Sequence, residues 1–159
     1  MTPGAAERPY ETDLACVSAH LDEEGARWLL VGAMAMQLWG TTRATRDIDI
    51  LIEPTVENAR RVLAALRKLG FGFAGDWLAE DVATRPVTVI GDTPRVDVFT
   101  VAWSVLYEAA AADATTFHVE GVPVPTASLE HLIASKRTGR LQDAADIEVL
   151  EEIRRMRGG

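Results

Sequence analysis

Cysteine is nearly absent from this 159-residue chain: Cys16 stands alone. A lone cysteine excludes an internal disulfide framework and fits a reducing compartment. Its place on the apolar side of the first expected helix predicts inert packing rather than reactivity. The three histidines, His20, His118 and His131, lack a spacing such as His-x-x-x-His, so no histidine-built metal centre is legible. No stretch approaches the roughly 18 apolar residues needed to span a bilayer, and the N-terminus lacks a basic flank with an apolar core. A cytoplasmic protein without a membrane partner is the expectation. Basic charge is also in deficit, with 16 Lys and Arg against 24 Asp and Glu, net −8. That balance argues against a broad nucleic-acid surface and leaves room only for a narrow basic groove.

What is present begins with two aspartates one residue apart, in Arg46-Asp47-Ile48-Asp49-Ile50-Leu51-Ile52. The alternation reads as a strand with one buried face. A period of two puts Asp47 and Asp49 on one face and Ile48, Ile50 and Ile52 on the other. Adjacent like charges raise each other's pKa unless a cation sits between them. A divalent ion is the simplest chemistry that favours such a pair; two unrelated acids at a solvated strand end are the plainer alternative.

The preceding residues favour the ion. Arg27-Trp28-Leu29-Leu30-Val31 reads as a short buried strand ending at Gly32. Ala33 to Trp39 holds strong helix formers up to Gly40. A helix opening just after a glycine offers free backbone N–H groups to an anion such as phosphate. Phosphate at the turn and metal at the next strand imply one ligand between them, a metal-chelated nucleoside triphosphate.

Val31-Gly32-Ala33, a gap, and Asp47-Ile48-Asp49-Ile50 resemble the signature of the nucleotidyltransferase superfamily related to DNA polymerase beta. The wider pattern, from Leu30 through Arg43-Ala44-Thr45-Arg46 to Asp49, resembles small bacterial nucleotidyltransferases of the AbiEii or MNT type. Val124-Pro125-Thr126-Ala127-Ser128-Leu129-Glu130, followed by Lys136, Arg140, Asp143 and Asp146, resembles how those proteins end. The likeness covers roughly residues 27 to 150.

The resemblance implies a third carboxylate on a later strand. Asp97 in Arg95-Val96-Asp97-Val98-Phe99 is the best position, since alternation turns it away from Val96 and Val98. A pair with Arg95 or plain solvent exposure is the alternative for this acid. Glu53, Glu80 and Asp92 are expected at the surface. Lys136, Arg140 and Asp143 fall at i, i+4 and i+7 and share a face if the helix continues through Gly139. The resemblance gives Lys136 or Arg140 a place near the triphosphate, with Asp143 as support; a surface ion-pair ladder is the competing reading, and Asp146 is a weaker candidate. Arg43 is a further phosphate contact, favoured over Arg46, which alternation turns to the other face. Trp39 and Trp103 read as core.

The resemblance implies an α/β (α+β) nucleotidyltransferase fold, a small mixed sheet flanked by helices, with C-terminal helices. Residues 1–9 are expected to be disordered and 10–157 to form a single domain. Helices are expected over about 10–25, from Thr55 to Leu69, from Trp103 to Ala112, and over 128–136 and 141–156. Strands are expected at 87–90 and around Asp97, and a late strand or hairpin near Gly121.

The implied activity moves an NMP from a nucleoside triphosphate to a hydroxyl. Asp47, Asp49 and Asp97 would be catalytic and would hold Mg²⁺ or Mn²⁺, with Gly32, Ala33, Arg43, Lys136 and Arg140 binding the nucleotide. Ala33 departs from the glycine or serine often found after the first glycine, and backbone donation survives that change. The acceptor implied is tRNA or a partner protein, in a toxin–antitoxin-like setting. An antibiotic-modifying enzyme with a small-molecule acceptor and a non-catalytic nucleotide- or partner-binding module are the alternatives.

Overall fold

A computed structural model describes residues 10–42, 44–70, 76–91 and 94–158. The expected disordered segment 1–9, the candidate Arg43 and the acid Asp92 lie outside the described residues. Helix α1 (Asp13–Glu23) is capped by Thr12, whose hydroxyl accepts from the Ala15 N–H, and it buries Leu14, Val17 and Leu21. Its start is tied to a distant hairpin: the Glu120 carboxylate accepts from the Glu11 and Thr12 N–H groups, both at 2.9 Å. Strand β1 (Trp28–Val31) leads directly into α2 (Gly32–Trp39), and β2 (Ile48–Ile52) follows the polar connector. Helix α3 (Val56–Lys68) starts at Thr55, which accepts from the Asn58 N–H. Cys16 is buried and free, as inert packing requires.

Strands β1, β2, β3 (Val87–Ile90), β4 (Val96–Phe99), β7 (Thr115–Val119) and β8 (Val122–Thr126) form one sheet in the order β3-β4-β2-β1-β8-β7. It is mixed: β2 runs parallel to β4 and β1 parallel to β8, and the other pairs are antiparallel. Ile48, Ile50, Val96, Val98 and Ile90 are completely buried on one face. Their alternates, Asp49 and Leu51 on β2, Asp97 and Phe99 on β4, Val87 and Val89 on β3, share the opposite face by register. Helices α4 (Ala79–Thr84), α5 (Tyr107–Ala112), α6 (Leu129–Ser135) and α7 (Leu141–Met156) complete the described elements with a two-stranded hairpin, β5 (Val101–Ala102) and β6 (Val105–Leu106). The mixed sheet flanked by helices agrees with the expected nucleotidyltransferase-like fold.

One expectation needs correction. The helix expected from Trp103 begins only at Tyr107, because Val101 to Leu106 form the hairpin, with Trp103 at φ 58 in its turn. β-Branched Val101 and Val105 suit strands, whereas only the alanine run 109–112 favours helix. Trp103 is consequently 62% exposed rather than core. Trp39 is core as read: its indole N–H donates to Ala127 O at 2.9 Å, and its ring meets Phe117 edge-on. The two separate helices expected over 128–136 and 141–156 are present, so the condition of one helix running through Gly139 is not met. Its φ of +86° ends one segment and starts another, with Lys136 closing α6 and Arg140 preceding α7.

Asn58 holds the strand ends in place. It is buried, accepts from the Arg27 N–H at 2.7 Å, and donates to the carbonyls of Arg27 and Glu53 at 2.9 and 3.0 Å. One side chain thus satisfies backbone groups just before β1 and just after β2. Asn58→Ala is expected to lose about 2–4 kcal/mol of unfolding free energy, because truncation leaves buried donors and acceptors unpaired. Urea denaturation measures it, and a loss below about 1 kcal/mol would show that these groups find other partners.

Candidate active site

The expected site assembles where β1 ends and β2 and β4 run side by side. Val31 is opposite Asp49, and Asp49 is opposite Asp97. Neighbouring strands lie about 4.8 Å apart and register partners share a face, so the two carboxylates leave the sheet together. Asp47 lies one residue before the β2 ladder and is exposed, with its N–H donating to the Thr45 hydroxyl at 3.2 Å. Alternation therefore does not govern Arg46, and it lines the same open groove as Asp47, contrary to expectation.

Gly32 closes the site from the β1 side. Its φ is +73°, and a β-carbon there would lie 2.2 Å from Asp49 Oδ2 and 2.9 Å from its Cγ. Both the left-handed backbone and the close approach require glycine. The turn and the carboxylate are thus one packed unit, with half-buried Ala33 next along α2.

Asp49 is the electrostatic centre. Burial pushes its carboxyl up to about 6, and the Asp97 and Asp47 charges add to the shift; Lys136 and Arg95 act against it. Its Oδ1 is buried without a hydrogen-bond partner, a costly state for a carboxylate oxygen. Asp97 is 8% exposed and is gripped bidentately by Arg95, Nε to Oδ1 at 2.8 Å and a terminal nitrogen to Oδ2 at 3.2 Å. The pair with Arg95 and the place beside Asp49 therefore coexist. Among the described residues no three His, Cys, Asp or Glu side chains converge as a metal cage. The donor chemistry still suits a hard divalent cation: carboxylate oxygens, one of them orphaned, on three neighbouring positions.

Lys136 reaches this region from the end of α6. Its Nζ lies 3.5 Å from Asp143 Oδ1 and 3.3 Å from Asp146 Oδ2, and its side chain is largely buried. Asp143 also receives the Thr138 hydroxyl and Arg140 Nε, the latter at 2.9 Å. Burial works against ionising Asp143, but the Thr138 hydrogen bond with Lys136 and Arg140 holds it below the usual carboxylate range. Asp146 takes a further bond from Gln142 at 3.1 Å. Lys136, Arg140 and Asp143 meet as expected, though across a helix break rather than along one helix. Lys136 acts on Asp49, whereas Arg140 is mostly exposed on the outer side of the cluster.

Thr138 carries no motif that would have singled it out. Arg95 did carry a signal, since residues two apart in a strand share a face. Elsewhere, Glu53 is half-buried and bonds to Arg27 at 3.1 Å, while Glu80 is exposed and pairs with Arg60. His131 Nδ1 is engaged with the Ser128 hydroxyl, in keeping with a structural role. No described helix is long and apolar enough to cross a membrane.

A mixed sheet whose first strand ends in a glycine turn seated on a neighbouring aspartate has the architecture of a nucleotidyltransferase. The family model for aminoglycoside-2''-adenylyltransferase matches residues 13–150, most of the chain, and the chain belongs to that family. It is a nucleotidyltransferase family, which bears out the superfamily that the sequence pattern resembles; the match does not extend to the AbiEii or MNT type. No curated protein matches the chain.

Raised to about 6, the Asp49 carboxyl binds protons more tightly in the folded state than in the unfolded chain, near 3.8. Its effect on stability is therefore most favourable below pH 4 and is lost as pH rises through 6. The loss amounts to roughly 2–3 kcal/mol at pH 7.5 without divalent cations. Asp49→Asn is expected to melt several degrees above the unsubstituted protein in EDTA at pH 7.5. At pH 4 the gap should close; melting curves at both pH values decide it, and an unchanged gap counts against the shift.

Proposed function

We propose that this protein transfers a nucleoside monophosphate from a nucleoside triphosphate to a hydroxyl of a small amino-sugar acceptor. The observation that carries the reading is Asp49 in register with Asp97 and packed under Gly32. Asp47, Asp49 and Asp97 would hold Mg²⁺ or Mn²⁺, which supplies charge neutralisation at the phosphates and activation of the acceptor hydroxyl. Backbone N–H groups at the Gly32 turn and the start of α2 bind the phosphates, with Ala33 contributing its backbone only. Lys136, braced by Asp143 and Asp146, lends positive charge from the opposite side. Arg140 is an outer phosphate contact in this scheme, and Arg43 lies outside the described residues.

The acceptor oxygen attacks the α-phosphorus as the bond to the β-phosphate oxygen breaks. Pyrophosphate leaves with the bonding electrons, and the hydroxyl proton passes to a carboxylate oxygen of Asp97.

Family and charge together favour a cationic small molecule over a polyanion. The family is named for aminoglycosides, which carry several ammonium groups. A groove of about 600 Å³ runs past Asp47, lined by Glu11 and Asp13 as well as by Arg46 and Arg95, so the preference for a cation rests on the family and the net charge. A net charge of −8 favours such a ligand and opposes tRNA. Transfer to tRNA or a partner protein in a toxin–antitoxin setting is the other enzymatic reading; binding without turnover is the non-enzymatic one.

Incubation with α-labelled nucleoside triphosphates, Mg²⁺ and separate panels of aminoglycosides, tRNA and cellular protein tests all three. Label is expected on an aminoglycoside. Asp49→Asn and Asp97→Asn should each lower turnover at least about a hundredfold. Lys136→Ala should raise the nucleotide KM about tenfold, the loss of one charge-assisted contact. Label on tRNA or protein overturns the acceptor assignment, and triphosphate binding without pyrophosphate release overturns the enzyme.

A further inference from the structure

Arg95 holds a position that the proposed chemistry does not use. Its guanidinium makes two bonds to the carboxylate of Asp97, while its own side chain remains about half exposed on the wall of the groove that Asp47 also lines. Both oxygens of Asp97 accept from Arg95. Asp49 Oδ1, in contrast, has no hydrogen-bond donor. The two register-paired acids thus sit in opposite states, one doubly bonded and one orphaned.

We propose that Arg95 is a positioning residue that acts as a built-in stand-in cation: it binds Asp97 when no divalent ion is present and is displaced from it when one binds. The inference rests on the nucleotidyltransferase reading of the three aspartates. Without Arg95, Asp97 would face Asp49 and Asp47 as an uncompensated like charge at the edge of a buried sheet face, an arrangement that costs stability. With Arg95 in place, the ion-free site keeps its carboxylates in register. An incoming ion must break a bidentate pair, so its affinity is reduced by the strength of that pair. The guanidinium has an exit, since its exposed side faces the groove and not the core. Once released there, its charge lies beside the path of the triphosphate. Arg95 thereby ties filling of the cation site to arrival of an anionic substrate.

Mn²⁺ binding to the full-length chain, followed by titration calorimetry and by the electron paramagnetic resonance signal of free Mn²⁺, tests this without any turnover. Arg95→Gln is expected to bind Mn²⁺ about fivefold more tightly than the unsubstituted protein, the worth of a half-exposed bidentate pair. Arg95→Lys should return affinity most of the way. Arg46→Gln removes the same charge from the same groove without touching Asp97, and should change affinity less than twofold. Equal or weaker binding by Arg95→Gln, or equal tightening by Arg46→Gln, overturns the stand-in role and leaves the nucleotidyltransferase reading intact. Failure of every form to bind Mn²⁺, even with ATP present, overturns that reading and the stand-in role with it.

Discussion

Much of this molecule is organised around one unfavourable contact: carboxylates of the same sign held side by side on neighbouring strands. Asp49 and Asp97 are register partners on β2 and β4, and Gly32 presses on Asp49 from the β1 side. Like charges at this spacing are tolerated only where something compensates them. Here the compensation comes from two directions, Arg95 along the strand and Lys136 from the end of α6. Each cation is in turn committed, Arg95 to Asp97 and Lys136 to Asp143 and Asp146. The site is therefore an alternating charge network rather than a bare acidic cluster.

The rest of the fold keeps that network in place. The β1–β2 register depends on Asn58, which bonds to backbone on both sides of the strand pair, and a slip of one residue would turn Asp49 into the core. Trp39 links the end of α2 to the segment entering α6 through Ala127, and Arg157 stacks over its ring. The glycine turn and the lysine-bearing helix are thus anchored to each other through a buried indole. Such packing fixes a turn and a helix far apart in sequence relative to each other.

Several of these features were legible in residue order. The hydrophobic period of two marks Ile48, Ile50 and Ile52 as one face, and the Thr55 cap and apolar stripe mark α3. Gly32 follows an apolar strand and precedes helix formers, and its need for φ near +73° agrees with the turn read there. Local rules failed where long-range contacts dominate. The hairpin of β5 and β6 is built from residues whose neighbours include helix-forming alanines. Arg46 was misplaced because alternation was extended one turn beyond the ladder, into the connector.

By itself the sequence determined the elements with strong periodicity, the glycine turn and the identity of the aspartates, because those depend on side-chain pattern and backbone preference over a few residues. The nucleotidyltransferase class was legible too, since Gly32 and the Asp-x-Asp run follow each other within one local unit. Only the tertiary structure decided that Asp97 is opposite Asp49, and that the charge of Lys136 acts on Asp49 while Arg140 is mostly exposed. Those outcomes depend on strand register and on the direction of a chain break, and neither leaves a trace in local spacing. Charges separated by dozens of residues become neighbours only when the sheet forms, and their energies are set by that proximity.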